Sequence, residues 1–177
     1  MIYATPVASV TNGRSDIRDD DWGKVISRIL LAEEIPTEAL DGIETFSHIE
    51  VIFFFDKVPV EKIERGSRHP RSNAAWPKIG IFAQRGKNRP NRLGISVARL
   101  IRREDRALIV LGLDAIDGTP VIDIKPVMRE FLPIGDVAQP QWASELMSSY
   151  WVLVPNQSPD PTPASGTPPA RQESRLP

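Results

Sequence analysis

The sequence predicts a mainly β fold, a small antiparallel β-barrel or sheet with few short helices. Several short segments rich in β-branched and aromatic residues follow one another, and turn residues separate them. The alternating strand–helix units of a doubly wound fold are missing from the pattern, as is a glycine-rich strand-to-helix fingerprint. These observations favour a β-barrel over a Rossmann sheet.

Six segments have the length and composition of strands. Residues 48–55 are too short and too aromatic for a typical helix, whereas the period of residues 25–31 is mixed. The complete set of predicted strands is 25–31, 48–55, 79–83, 94–101, 107–113 and 121–124. The last two flank Asp117-Gly118, a dipeptide typical of tight turns, so we expect them to form a hairpin.

Helical patterns are confined to two short segments. Residues 37–40 have the composition of one helical turn. Residues 144–151 favour a terminal helix, because its period places Leu146 and Tyr150 on one side.

The 177 residues predict one domain over residues 1–154, followed by a proline-rich tail over residues 155–177. The tail holds seven of the 17 prolines, with Ser, Thr and Gly between them. Such a segment buries too little apolar surface to offset its ordering entropy, so we expect it to be disordered or extended. A passive tail is favoured over a partner-binding segment.

Composition limits the functional classes. No apolar run approaches the length that crosses a bilayer, and the first residues lack the pattern of a signal peptide. Cysteine is absent, which excludes disulfides and thiolate metal sites, and the presence of only two histidines disfavours a catalytic zinc centre. We therefore expect a cytoplasmic protein that binds neither a membrane nor a metal.

Charge is distributed unevenly along the chain. Residues 57–106 contain 14 lysines and arginines against four acidic residues, and no acidic residue lies between Arg65 and Arg103. A positive segment of this kind attracts a polyanion. The alternative is a solvated surface whose charges pair with the acidic flanks.

Two clusters of polar residues lie on predicted strands. Alternation in residues 121–126 puts Asp123 and Lys125 on one face, and Ile122 and Ile124 on the other. The charged pair lies either beside a ligand pocket or on an ordinary exposed face, and spacing alone favours the exposed face.

A second polar cluster, Ser47-His48, lies at the start of the apolar strand at 48–55, where a lone histidine is more often structural than catalytic.

The third cluster is the basic loop over residues 82–94, in which Pro and Gly constrain the backbone. Guanidinium groups suit carboxylates and phosphates, so the loop is either an anion site or a solvated basic loop. It holds four cations within eight residues, Arg85, Lys87, Arg89 and Arg92.

Four ordered segments, 40–48, 80–85, 89–94 and 113–126, together resemble the TsaA-like (TrmO) family. The resemblance covers roughly residues 1–130, and the last segment, which ends in Lys-Pro, is the most specific. It implies a small antiparallel β-barrel, a homodimer and S-adenosylmethionine bound between the motif loops. Family members methylate the 6-amino nitrogen of threonylcarbamoyladenosine at tRNA position 37, so the resemblance implies an S-adenosylmethionine-dependent methyltransferase with tRNA as substrate.

By the same resemblance, the cofactor site includes two arginines of the basic loop, the Ser-His pair and the Asp-Gly turn. Lys78 lies where the family often has arginine. No catalytic residue is assigned, although Asp123 and His48 are candidate bases for the acceptor nitrogen. The complete set of expected cofactor residues is Ser47, His48, Lys78, Arg85, Arg89, Asp117, Gly118, Thr119 and Pro120.

A tRNA substrate makes the basic segment a candidate for RNA phosphates. Its eleven cations between residues 65 and 103 include Arg99, Arg102 and Arg103, which follow the basic loop in sequence. We expect these three to contact RNA without touching the cofactor.

The sequence also departs from the family. Gln84 and Gly86 flank Arg85 where the family usually has Thr and Ser, and Val127 replaces a usual Tyr. A proline-rich tail stands in place of the additional C-terminal domain of some members. Two alternatives therefore remain: a methyltransferase of another nucleotide or small molecule, and a non-enzymatic S-adenosylmethionine-binding module that contacts RNA.

Overall fold

The computed structural model describes residues 3–151 and contains a closed antiparallel barrel of six strands. In chain order the strands are β1 (Ala8–Thr11), β2 (Ile26–Leu31), β3 (His48–Phe54), β4 (Ser67–Arg68), β5 (Ile79–Gly80), β6 (Leu93–Glu104), β7 (Ala107–Leu111) and β8 (Pro120–Pro126). The barrel order is β1-β2-β7-β6-β3-β8, and β4 pairs with β5 in a separate small sheet. The predicted mainly β fold and its barrel are confirmed.

Helical structure is short throughout the described residues. The α-helix α1 (Gln141–Met147) follows the barrel and begins and ends earlier than the predicted helix at 144–151. The predicted helical turn at 37–40 is confirmed as a 3-10 turn. The 3-10 turns are Thr37–Leu40, Ile43–Thr45, Val60–Lys62, Pro70–Ser72, Ile81–Ala83 and Arg129–Phe131.

The core fills the barrel interior by strict alternation along β3 and β6. Ile49, Val51 and Phe53 of β3 are at most 1% exposed, and the residues between them face outward. Gly94 of β6 lies against the ring of Phe53, because a Cβ atom at position 94 would overlap that ring. The large aromatic side chain therefore requires glycine opposite it.

The predicted hairpin between 107–113 and 121–124 is wrong. β7 pairs with β2 and β6, whereas β8 pairs with β1 and β3. The turn at 117–118 does form, with Gly118 at φ 78°. Its backbone bonds to β1 instead, because Gly118 N–H donates to the carbonyl of Val10 at 2.8 Å. The turn therefore connects distant parts of the barrel rather than two neighbouring strands.

Other strand boundaries differ from the prediction. β1 was not predicted, and the segment 79–83 is a strand only at Ile79–Gly80 before a 3-10 turn. The β3–β8 register pairs Phe53 with Val121 and Ile52 with Asp123, so one residue of β8 bulges out. Because of this bulge, Ile124 packs against the core and Ile122 does not, whereas simple alternation predicts that both lie on one face.

The described part of the chain lies within the predicted domain 1–154, and the predicted tail 155–177 falls outside it. Within residues 3–151, no helix has both the length and the apolarity needed to cross a membrane.

Candidate functional site

An open groove runs along the outer side of the barrel beside β6. Six parts of the chain line it besides β6: the loop before β2, residues 52–62, residues 68–79, the basic loop, the segment with Asp114 and Thr119, and the C-terminal segment at 139–151. Residues in this lining that can bind or react include Asp19, Arg85, Arg89, Asp114, Thr119 and Tyr150. Segments far apart in sequence thus meet at one surface.

The basic loop is held rigidly against the barrel. The buried side chain of Gln84 donates hydrogen bonds to the carbonyls of Arg68 and Ile79, at 3.2 and 3.0 Å. Arg85 donates to the carbonyl of Ile95 in β6, and Arg89 donates to the carbonyl of Gln84 at 3.2 Å. Each guanidinium has five N–H donors, so donors remain for an anionic ligand in the groove.

Two residues of the turn at 116–119, Ile116 and Thr119, line the groove. Thr119 N–H donates to the carbonyl of Ile116 at 3.1 Å, and Thr119 is buried in the groove lining. Asp117 accepts hydrogen bonds from the backbone N–H groups of Asn12 and Gly13. These bonds, that from Asn12 most strongly, hold the pKa of the Asp117 carboxyl below its ordinary value. Asp117 therefore fixes the turn rather than facing the groove.

The expected cofactor residues fall into three groups. Arg85, Arg89 and Thr119 line the groove directly. The second group is Asp117, Gly118 and Pro120, which flank Thr119 in sequence but lie outside the groove lining. The third group comprises Ser47, His48 and Lys78, which the groove does not include.

Ser47 and His48 lie at the opposite end of β3 from the Asp-Gly turn. Ser47 Oγ and His48 Nδ1 are 2.9 Å apart, and His48 lies across from Arg99 of β6. β3 spans seven residues, which corresponds to about 20 Å at ~3.3 Å per residue. One copy of the chain therefore does not bring the Ser-His pair together with Arg85 and Thr119.

Asp123 and Lys125 share one face of β8, as the alternation predicts. Lys125 Nζ lies 2.6 Å from Asp123 Oδ2, and this contact raises the pKa of the lysine. Asp123 lies outside the groove lining, as does His48. Neither candidate base is therefore placed to act in this groove within one chain.

The sequence analysis missed a carboxylate–phenol pair in the groove. The Tyr150 hydroxyl donates to Asp114 Oδ2 at 2.5 Å. Burial raises the pKa of Asp114, and burial together with the Asp114 charge raises the pKa of Tyr150 well above its ordinary value. Asp114 lies in a segment that resembles the family, but a partner 36 positions away leaves no local signal in the sequence.

The C-terminal segment at 139–151 is hydrogen-bonded to the loops that precede β2 and β5. Trp22 N–H donates to the carbonyl of Tyr150 at 2.9 Å, and Trp76 Nε1–H donates to Glu145 Oε2 at 2.8 Å. Its half-buried apolar side chains face the groove, namely Trp142, Ala143, Leu146 and Met147. The segment therefore forms an apolar wall opposite the basic loop.

Acidic residues neutralise part of the basic segment. Arg71 pairs with Asp20 at 2.7 Å, and Lys87 pairs with Asp19 at 3.0 Å. Arg102 pairs with Glu104, and Arg103 pairs with Asp41. Within the described basic segment, residues 65–103, the ion pairs do not involve four exposed cations, Arg65, Lys78, Arg85 and Arg99. Across residues 3–151, no three His, Asp or Glu side chains could hold a metal ion.

Comparisons of this chain with family models, curated proteins and solved structures all point to the same family. The model described as tRNA-methyltransferase O N-terminal domain matches residues 19–131. A Homo sapiens protein named tRNA (adenine(37)-N6)-methyltransferase is 38% identical over 105 residues, which are 59% of this chain and 23% of its own length. An Archaeoglobus fulgidus protein named "Probable S-adenosyl-L-methionine-binding protein" is 36% identical over 108 residues, 61% of this chain and 28% of its own length.

A solved structure of TrmO from Pseudomonas aeruginosa has the same fold. Its TM-score is 0.60 at 25% sequence identity, and the match covers 78% of this chain and 61% of the solved chain. The match covers about a quarter of the length of each of the Homo sapiens and Archaeoglobus fulgidus relatives.

Proposed function

The chain belongs to the family of tRNA-methyltransferase O N-terminal domains, and we propose that it transfers a methyl group from S-adenosylmethionine to the 6-amino nitrogen of adenosine 37 in tRNA. One observation carries the proposal: Arg85 and Arg89 line one groove together with Thr119, which follows the Asp-Gly turn, in a chain that resembles adenine-N6 methyltransferases. The family resemblance specifies an adenosine that carries a threonylcarbamoyl group.

The residues present suit the cofactor. The guanidinium groups of Arg85 and Arg89 match the carboxylate of S-adenosylmethionine, because planar N–H forks bind carboxylates in a bidentate manner. Thr119 lines the same groove, while its backbone carbonyl accepts the Val10 N–H at 3.0 Å. When bound, the cofactor supplies a methyl group activated by its positively charged sulfur. The contribution of the chain is to bind both reactants and align them.

We also assign the protein to a homodimer in the cytoplasm, where it meets tRNA. An exposed apolar row on the outer face of β6 supports a dimer, because such a row on a monomer marks a contact surface. Its members are Leu93, Ile95, Val97 and Ile101, each between 41% and 50% exposed. The first three also line the groove, and Arg99 lies on the same face between Val97 and Ile101. In a dimer formed over this row, Ser47, His48 and Lys78 of one copy would line the groove of the other copy, because the groove of their own chain does not include them.

A second candidate is a methyltransferase of a small molecule or free nucleotide. The pairing of Arg71, Lys87, Arg102 and Arg103 with acidic residues favours it, since paired cations attract phosphates less strongly. A non-enzymatic binding module is the third alternative.

An assay with tritiated S-adenosylmethionine separates these candidates. The protein is incubated with total tRNA and, separately, with a metabolite extract from cells. Label in tRNA is the expected result. Label in small molecules alone contradicts the tRNA substrate, and cofactor binding without any transfer contradicts an enzyme.

A further inference from the structure

Asp114 carries an unsatisfied carboxylate oxygen in the wall of the groove. Its Oδ2 accepts the hydrogen bond from Tyr150, whereas its Oδ1 is shielded from solvent and has no hydrogen-bond partner within residues 3–151. A buried polar atom without a partner costs free energy. Asp114 lines the groove, and a bound ligand reaches Oδ1 once a side chain that covers this oxygen moves.

The surroundings of Asp114 indicate which ligand group it receives. Arg85 and Arg89 already provide the positive charge that suits the cofactor carboxylate. The wall that carries Tyr150 also presents Trp142 and Leu146 to the groove, and such side chains suit the face of a nucleobase. A carboxylate beside such a wall matches an exocyclic amino group, which has N–H donors at the edge of the base.

We propose that Asp114 accepts the 6-amino group of the acceptor adenine at Oδ1 and removes its proton, and that Tyr150 positions the carboxylate for this step. The inference rests on the proposed function. As the proton moves from nitrogen to Oδ1, the nitrogen electron pair forms the new bond to the methyl carbon. The carbon–sulfur bond breaks, and its electron pair remains on sulfur as a neutral thioether.

The charges around Asp114 suit a base. Burial raises the pKa of its carboxyl, which strengthens it as a proton acceptor, while Tyr150, then Arg85 and the backbone N–H of Asp114 itself act in the opposite direction. Tyr150 and Arg85 face it from the C-terminal segment and the basic loop. Asp19, from the loop before β2, faces Tyr150 and is paired with Lys87. Tyr150 keeps its proton at neutral pH because its pKa is raised, so it continues to donate to Oδ2.

The sign of the pH dependence follows from this arrangement. The proposed step needs the unprotonated carboxylate, so the transfer rate falls as the pH drops through the raised pKa of Asp114. Removal of the Tyr150 hydroxyl deletes a contact that lowers this pKa. The acid limb of the pH profile then moves to higher pH.

The test compares Asp114→Asn and Tyr150→Phe with the parent in single-turnover methyl transfer to tRNA, measured across pH at saturating cofactor. Asp114→Asn is expected to lower the rate by about 10²–10⁴-fold, the usual contribution of a general base, and to abolish the acid limb. Its dissociation constant for S-adenosylmethionine, measured by calorimetry, is expected to remain that of the parent. Tyr150→Phe is expected to shift the acid limb to higher pH.

Two further measurements separate this role from a structural one. Carboxyl NMR titration of the cofactor-free protein is expected to give a raised pKa for Asp114, and a higher one in Tyr150→Phe. Asp136→Asn and Tyr3→Phe serve as matched controls, because both side chains are exposed and lie outside the groove. Both controls are expected to retain the rate and the pH profile of the parent.

Three results overturn the inference. The first is an Asp114→Asn variant that keeps the parent rate and acid limb, and the second is one that loses cofactor affinity instead of rate. The third is a Tyr150→Phe variant whose acid limb lies at the same pH as that of the parent. This third result overturns the inference even if Asp114→Asn does not fold. A parent protein that binds S-adenosylmethionine but transfers no methyl group to tRNA defeats the proposed function itself, and this inference with it.

Discussion

Asp117 Oδ1 accepts a hydrogen bond from the backbone N–H of Asn12 at 2.8 Å, although 105 positions separate the two residues. The bond ties the turn before Thr119 to the end of β1. Because it stabilises the charged carboxylate, it holds the pKa of Asp117 below its ordinary value. A lowered native pKa stabilises the fold above the unfolded pKa of about 3.9, and this stabilisation is lost as the pH falls through the native value.

We predict that Asp117→Ala lowers the melting temperature at neutral pH and that the difference from the parent shrinks in acid. Circular dichroism melts across pH measure both effects, with Asp136→Ala as an exposed control. A difference in melting temperature that stays constant from neutral pH into acid would show that the carboxylate charge does not contribute.

Arg85→Ala is predicted to weaken S-adenosylmethionine binding. A hydrogen bond between charged groups contributes ~1.5–3 kcal/mol, so the dissociation constant is expected to rise by about 10–100-fold. Calorimetry measures it, and Lys24→Ala, which changes an exposed cation outside the groove, is the matched control. Equal affinities of the parent and Arg85→Ala would remove Arg85 from the cofactor site.

The salt dependence of tRNA binding is predicted to involve Arg99 more than Arg102 and Arg103. Arg99 is exposed on β6, whereas Arg102 and Arg103 are held by Glu104 and Asp41. Each lost phosphate contact reduces the slope of log K against log salt by roughly 1. Arg99→Ala should therefore flatten the slope, and Arg102→Ala should change it less. The reverse order would mean that the ion pairs open when RNA binds.

Val97→Glu is predicted to separate the proposed homodimer into monomers. Val97 lies in the centre of the exposed apolar row and is 50% exposed, so a charge there would be buried without a partner in the dimer. Sedimentation velocity measures the oligomeric state, with Ile134→Glu as a control on an exposed isoleucine elsewhere. A parent protein that is monomeric at all concentrations would contradict the dimer and leave Ser47 and His48 outside the site.

Local signals in the sequence predicted much of the fold. The short, aromatic composition of residues 48–55 and the composition of residues 25–31 marked β3 and β2 correctly, because β-branched and aromatic side chains favour strands. The Asp-Gly turn was also correct as a turn. Its hairpin was wrong because closure of the barrel, a non-local property, pairs β8 with β1 and β3. The short strand β1 has too few residues to show a period.

Residues of the candidate site could be predicted from the sequence only where they lie within a single motif segment. Arg85, Arg89 and Thr119 were identified through motif segments and meet in the groove. The Asp114–Tyr150 pair was missed because its partners come from different segments. Charge counting in the basic segment likewise overlooked pairs such as Arg103–Asp41, which join residues 62 positions apart.

The central claim is methyl transfer to adenosine 37 of tRNA. The most direct measurement uses S-adenosylmethionine with a deuterated methyl group, tRNA from cells that lack this methylation, and mass spectrometry of the isolated anticodon-loop nucleosides. The account predicts a deuterated methyl group on the 6-amino nitrogen of nucleoside 37 and on no other nucleoside. Unlabelled tRNA in the presence of protein that binds the cofactor would contradict it.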